Sequence, residues 1–172
     1  MSPGGLIAWT IYLPTTLVAV AWGTDFLYDS LGVSWLAAYV LAINAVAFAI
    51  YGWDKGVAKV LGWLKLKDSL PLRVPENLLI WGLAFPGGIV GAVAAMVAFN
   101  HKIGSKEKAD QFRIELLQAG ALFTGALLII LLLVTATGID VLVILDGIIA
   151  SFVHVVLGML GVLWSLVEQV VL

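Results

Sequence analysis

The chain is 172 residues long, 62% hydrophobic and 12% charged, with a mean hydropathy of +1.10. Soluble domains hold about 45–50% apolar and about 25% charged residues, so this composition excludes a soluble enzyme, a disordered tail and a nucleic-acid-binding module. There is no cysteine, which excludes disulfides, thiolate catalysis and Cys-ligated metals, and the formal charge of −2 names no partner.

The expected fold is all-α: a polytopic helical membrane protein with four to five transmembrane helices, residues 1–172 forming a single membrane domain. A spanning helix needs ~20 mostly apolar residues. The first candidate is 5–22, with Pro14 inside it and Trp9 and Trp22 at its margins. Ala19-Val20-Ala21 resembles a signal-peptide cleavage site, but no basic stretch precedes it, so a retained helix is expected. The second is 33–53, with Trp35 and Trp53 near its ends, as in interfacial aromatic belts. Residues 56–67 read as a separate short amphipathic helix, with Val57, Val60, Leu61 and Leu64 on one side and Lys55 and Lys59 opposite. The third candidate, 77–99, is interrupted by Pro86-Gly87-Gly88. A C-terminal helical hairpin, 116–172, supplies the fourth and fifth, 116–137 and 141–167.

The cations decide between two paths for the third segment. All nine lie between positions 55 and 113, in one group after the second span and another after the third. The connection 23–32 holds Asp25 and Asp29, and the turn 138–140 holds Asp140, with no cation in either. The positive-inside rule puts both basic groups in the cytoplasm, which a single crossing by 77–99 forbids. A re-entrant hairpin reversing at Pro86-Gly87-Gly88 satisfies the rule. A continuous helix kinked at Pro86 instead suits the 23-residue length. Both paths stand at this point.

Stripes of small and polar residues mark the faces expected to meet protein. Gly87, Gly91 and Ala95 form a GxxxG-type ridge, and Asn44, Phe48, Tyr51 and Lys55 share a face of the second span. In the last helix Gly147, Ser151, His154, Gly158, Gly161 and Ser165 recur at three- and four-residue spacing, so this side is expected to pack on protein. His154 reads as a hydrogen-bonded packing residue, with a proton-relay or cofactor role as the sharper alternative. Asp146 lies off the stripe and is expected to reach the membrane interface.

Charged pairs border the third segment: Asp54-Lys55, Arg73 with Glu76, and His101-Lys102. Asp54-Lys55, Arg73-Val74-Pro75-Glu76, Gly87-Gly88-Ile89-Val90-Gly91-Ala92 and Asn100-His101-Lys102 follow one another in order. The run from about 43 to 112 thereby resembles an uncharacterised bacterial and archaeal membrane family, domain of unknown function 1294. The segment 56–72 is longer than the family's usual link, and Ile103-Gly104 stands where the family has Thr. The resemblance implies a prokaryotic cytoplasmic membrane and no particular activity. Asp54, Lys55, Arg73, Glu76, His101 and Lys102 are the candidate ligand-binding residues, for an anionic lipid or another anionic compound, or else they form a salt-bridge network tying the segments together.

Two functions compete. One is a non-catalytic accessory or assembly subunit that packs through its last helix on other membrane subunits or on itself and binds anionic lipid. The other is a small membrane-embedded enzyme acting on a lipid or phosphorylated substrate, with His101 as acid or base and Arg73 and Lys102 holding phosphate. No catalytic signature, cofactor motif or metal site is legible, and no nucleic-acid partner is expected.

Overall fold

The computed structural model describes residues 3–65, 73–99, 107–137 and 140–171. Among these lie helices α1 (Pro3–Leu31), α2 (Trp35–Trp63), α3 (Leu78–Gly88, with wide π-type winding), α4 (Ile89–Ala98), α5 (Glu107–Thr137) and α6 (Val141–Val171). The first two outrun the expected spans. Asp25 and Asp29 fall on α1 rather than in a connection, and Gly56 to Trp63 continue α2 rather than starting a helix of their own. No proline interrupts either extension, and a helical glycine such as Gly56 costs only about 1 kcal/mol.

At the start of α2 the Ser34 hydroxyl accepts from the Ala37 N–H at 3.2 Å. The Leu36 N–H, a second donor without a helical acceptor, donates to Asp146 Oδ1 on α6 at 2.7 Å. Asp146 therefore caps a neighbouring helix. That bond also sets the rotation of α6. Val153 is buried and Ala150 and Leu157 are half-buried on the face that Asp146 shares. One residue further is a rotation of about 100°, which turns the small-residue stripe away from the rest of the chain. A β-carbon at Gly147, Gly158 or Gly161 would meet nothing within 4 Å. Ser151 and Ser165 are exposed and donate back to their own helix, to the Gly147 and Val162 carbonyls. His154, also exposed, sets its ring edge-on to Trp35 at 5.3 Å. Within the chain, α6 thus docks through the face next to this stripe, and the stripe's glycines stay uncovered.

The third segment does not run one way. As a straight helix, Leu78–Ala98 would be about 30 Å long. Instead, Leu79 and Phe99 both come to the same turn of α2. The Tyr51 hydroxyl donates to the Leu79 carbonyl at 3.2 Å, while the Phe99 ring lies against Phe48, 5.2 Å between centroids, and against Gly52. Between these points the chain climbs α2 as far as Tyr39, whose hydroxyl donates to the Pro86 carbonyl at 3.1 Å, then comes back down. The reversal sits at Gly87, with φ 122°, a conformation open to glycine and costly for side-chain-bearing residues. The backbone thus folds back at Gly87, the shape that the hairpin path requires.

One side chain fastens the reversal. The Asn44 carboxamide donates to the Gly87 carbonyl at 2.9 Å and to the Val40 carbonyl at 2.7 Å, and accepts from the Gly91 N–H at 2.7 Å. A regular helix would join that Gly91 N–H to the Gly87 carbonyl directly; here the carboxamide bridges them. The returning arm lies so close to α2 that a β-carbon on Gly91 would overlap the Asn44 backbone carbonyl.

The hairpin occupies the middle of the bundle. Its Leu78, Leu79, Leu83, Ala84, Ala92 and Ala95 are wholly buried, together with Tyr51 of α2 and Ala119 of α5. In the most apolar part of each helix, 56% of the hairpin is buried, against 28% for α2, 22% for α1 and 6% for α6. The outer helices thus present most of their apolar surface outward. Four stretches are long and apolar enough to span a membrane, Leu6–Leu31, Trp35–Trp63, Leu78–Ala98 and Val141–Gln169, the third being the folded-back one.

Replacing Asn44 by Leu leaves the Gly87 carbonyl and the Gly91 N–H without this bridge, at about 1–3 kcal/mol for each buried group. Asn44→Leu and Gly91→Ala are both expected to lower the melting temperature in detergent, followed by circular dichroism. Gly147→Ala, which meets open space, is expected to leave it unchanged or raise it slightly.

Candidate functional site

Two of the residues singled out by sequence, Asp54 and Arg73, meet where the hairpin opens, at the Trp63 end of α2. Asp54 is fully buried, and both of its oxygens are taken by Arg73, with Nε to Oδ1 at 3.1 Å and Nη2 to Oδ2 at 3.2 Å. The planar guanidinium matches the carboxylate fork to fork, a match lysine cannot make. The Val74 N–H adds a third donor, to Oδ1 at 3.2 Å. The next residue, Pro75, opens the helical winding: its carbonyl accepts from the Leu78 and Leu79 N–H groups at 3.0 and 3.2 Å. Pro75 suits this place because a helix's first N–H groups have no partner to lose.

Around the fork, neighbouring elements converge. Tyr51 holds the outgoing arm and meets Phe112 of α5 edge-on, 6.3 Å between centroids. On the returning side, a β-carbon at Gly52 would come within 2.7 Å of the Phe99 ring. From α1, Tyr12 accepts from the Trp53 indole N–H at 3.0 Å. This end of the bundle therefore ties α1, α2, both hairpin arms and α5 together.

Of the expected binding set, the structure joins Asp54 and Arg73. Lys55 follows Asp54 and is half-buried, and Glu76 is exposed at the start of the outgoing arm. His101 and Lys102 lie outside the described residues. Asp54 offers no surface to a ligand, while 28% of the Arg73 side chain stays exposed. Lys59 and Lys65 are exposed on the same end of α2. Among the described residues, no three His, Asp or Glu side chains gather as a metal site requires.

The shared face of Asn44, Phe48 and Tyr51 does meet the hairpin, and Gly91 of the expected ridge lies against Asn44. Gly87 instead faces Phe123 of α5, where a β-carbon would stand 3.4 Å from the ring. Tyr39 was not legible as a tip-holding residue. It lies off the Asn44 stripe, and its one signal is a hydroxyl on an otherwise apolar stretch.

Residues 44–108 match the family described as a protein of unknown function (DUF1294), the family that the four motifs resemble. The matched stretch begins at Asn44 and takes in the Asp54–Arg73 fork and the whole hairpin. Neither a curated protein nor a solved structure matches the chain.

The fork has an asymmetry that mutation exposes. Arg73→Ala strands a carboxylate with no exposed surface, a loss of about 3–5 kcal/mol for a broken buried pair. Asp54→Ala leaves a partly exposed guanidinium that water can solvate, with the Val74 N–H as the buried orphan, for about 1–3 kcal/mol. Chemical or thermal unfolding in detergent is expected to rank Arg73→Ala below Asp54→Ala.

Proposed function

We propose that this chain is a non-catalytic integral membrane protein, an accessory or assembly subunit, whose hairpin re-enters the bilayer and brings two basic segments to one cytoplasmic face that binds anionic lipid. The observation that carries this reading is the fork. Asp54 is taken up in holding the start of the outgoing arm to α2, and that end carries Arg73, Lys55, Lys59 and Lys65 against the exposed acid Glu76. The return of Phe99 to Gly52 and Phe48 supports a path in which both cation groups lie on one side, as the positive-inside rule asks. Anionic headgroups at the cytoplasmic surface attract such clusters at about 1 kcal/mol per Lys or Arg.

The small-residue stripe on α6 supports association with another membrane helix. Glycines and serines allow close backbone approach, and the rest of the chain leaves this face uncovered.

The chain has no cysteine, so single-cysteine variants report position cleanly. In sealed inside-out vesicles, Lys65→Cys and Lys106→Cys are both expected to react with a membrane-impermeant maleimide, and Ser30→Cys to be protected until detergent is added. Labelling of positions 65 and 106 from opposite sides would overturn the re-entrant path.

A further inference from the structure

Two aromatic clamps join α1 to α2, one near each end of the pair. At the Trp63 end of α2 the Trp53 indole N–H donates to the Tyr12 hydroxyl at 3.0 Å. At the other end the Tyr28 ring stacks on Trp35, 4.1 Å between centroids. Charges accompany both clamps. Asp29 follows Tyr28, and Asp146 accepts from the Leu36 N–H next to Trp35; Asp54 and Lys55 follow Trp53. Between the clamps the outward side chains include Leu13, Leu17 and Phe26 on α1 and Val40, Leu41 and Phe48 on α2. Tyrosine and tryptophan collect at headgroup level on both sides of a bilayer, so the clamps mark the two edges of a lipid-facing slab.

The slab is short. The clamps are 16 residues apart on α1 and 18 on α2, about 24 and 27 Å at helical rise. The last helix repeats the spacing. From Asp146 to Trp164, whose indole N–H donates to Glu168 at 2.6 Å, is again 18 residues, about 27 Å. The further turns of α2 carry Asp54, Lys55 and Lys59, which interrupt the apolar run. A typical hydrocarbon core is about 30 Å thick, and headgroup-level rings stand outside it. All three helices therefore fall short of an average bilayer, and any tilt shortens them further. A short apolar slab is met by thinner surroundings. We infer that this chain fits, and draws in around itself, a bilayer whose acyl chains are shorter than average; this rests on the membrane reading above and adds the thickness of the lipid partner to it.

The test is reconstitution of the full chain into vesicles of one headgroup and rising acyl length: dimyristoleoyl, dipalmitoleoyl, dioleoyl, dieicosenoyl and dierucoyl phosphatidylcholine. Circular dichroism follows melting, and flotation checks insertion. The melting temperature is expected to peak in dimyristoleoyl or dipalmitoleoyl lipid. It is expected to fall by about 3 °C or more in dieicosenoyl and dierucoyl lipid, since mismatch costs grow with each ångström. Tyr28→Leu with Trp35→Leu removes one edge of the slab and is expected to flatten this dependence, whatever it does to the melting temperature itself. A maximum in dioleoyl or a longer lipid would overturn the inference and leave the membrane and headgroup readings standing. A dependence that the double variant leaves unchanged would assign the optimum to helix length instead of the clamps and would also overturn it. Failure to float with any of these vesicles would overturn the membrane reading, and this inference with it. Because the headgroup is constant, a failed anionic reading would leave the series as expected.

Discussion

A chain that turns back inside an apolar bundle must find partners for the backbone groups the turn releases, and here most of that task falls to the Asn44 carboxamide. It bridges the Gly87 carbonyl and the Gly91 N–H, while Tyr39 takes the Pro86 carbonyl. An unpaired amide in hydrocarbon costs several kcal/mol, so irregular backbone at membrane depth survives only where protein or trapped water serves it. The bridge explains why the glycines cluster where they do. Gly87 supplies the reversal, and Gly91 lets the returning arm come close enough for a short side chain to reach both groups.

Pinning the tip leaves the mouth, where the two arms would splay, and there the Asp54–Arg73 fork does the closing. The fork and the carboxamide both anchor on α2, which is therefore the element against which the hairpin is built. Burial follows the same logic: of the four long apolar stretches the hairpin is the most enclosed, packed between α2 and α5. The packing of Tyr51 on Leu79 and Phe112 completes this arrangement between tip and mouth.

Much of this was readable from the residues. The long apolar helices followed from hydropathy, and the reversal was signalled by Pro86-Gly87-Gly88 together with the gathering of cations on both sides of it. The decision between a kink and a reversal was not readable, since it depends on whether α2 supplies partners for the freed backbone. Asn44 alone, without its geometry, says only that some helix is contacted. The rotation of α6 within the chain was not readable for a related reason. Small residues mark a surface that permits close approach, but the Asp146–Leu36 bond, a contact between residues 110 positions apart, sets which surface is used. The Asp54–Arg73 pairing was one of two open readings of the charges, separated only by seeing that the carboxylate has no exposed surface.

The Asn44 bridge also imposes an order on biogenesis. The reversal's released groups find their partners on α2, a helix made earlier in the chain, rather than within the hairpin itself. A hairpin that folded ahead of α2 would leave the Gly87 carbonyl and the Gly91 N–H unserved at its tip, whereas one that folds against a helix already in place meets a waiting carboxamide. The second helix is thus a template that the later segment reads as it arrives, and the chain's own synthesis, from the amino end, delivers the two in the sequence that this requires.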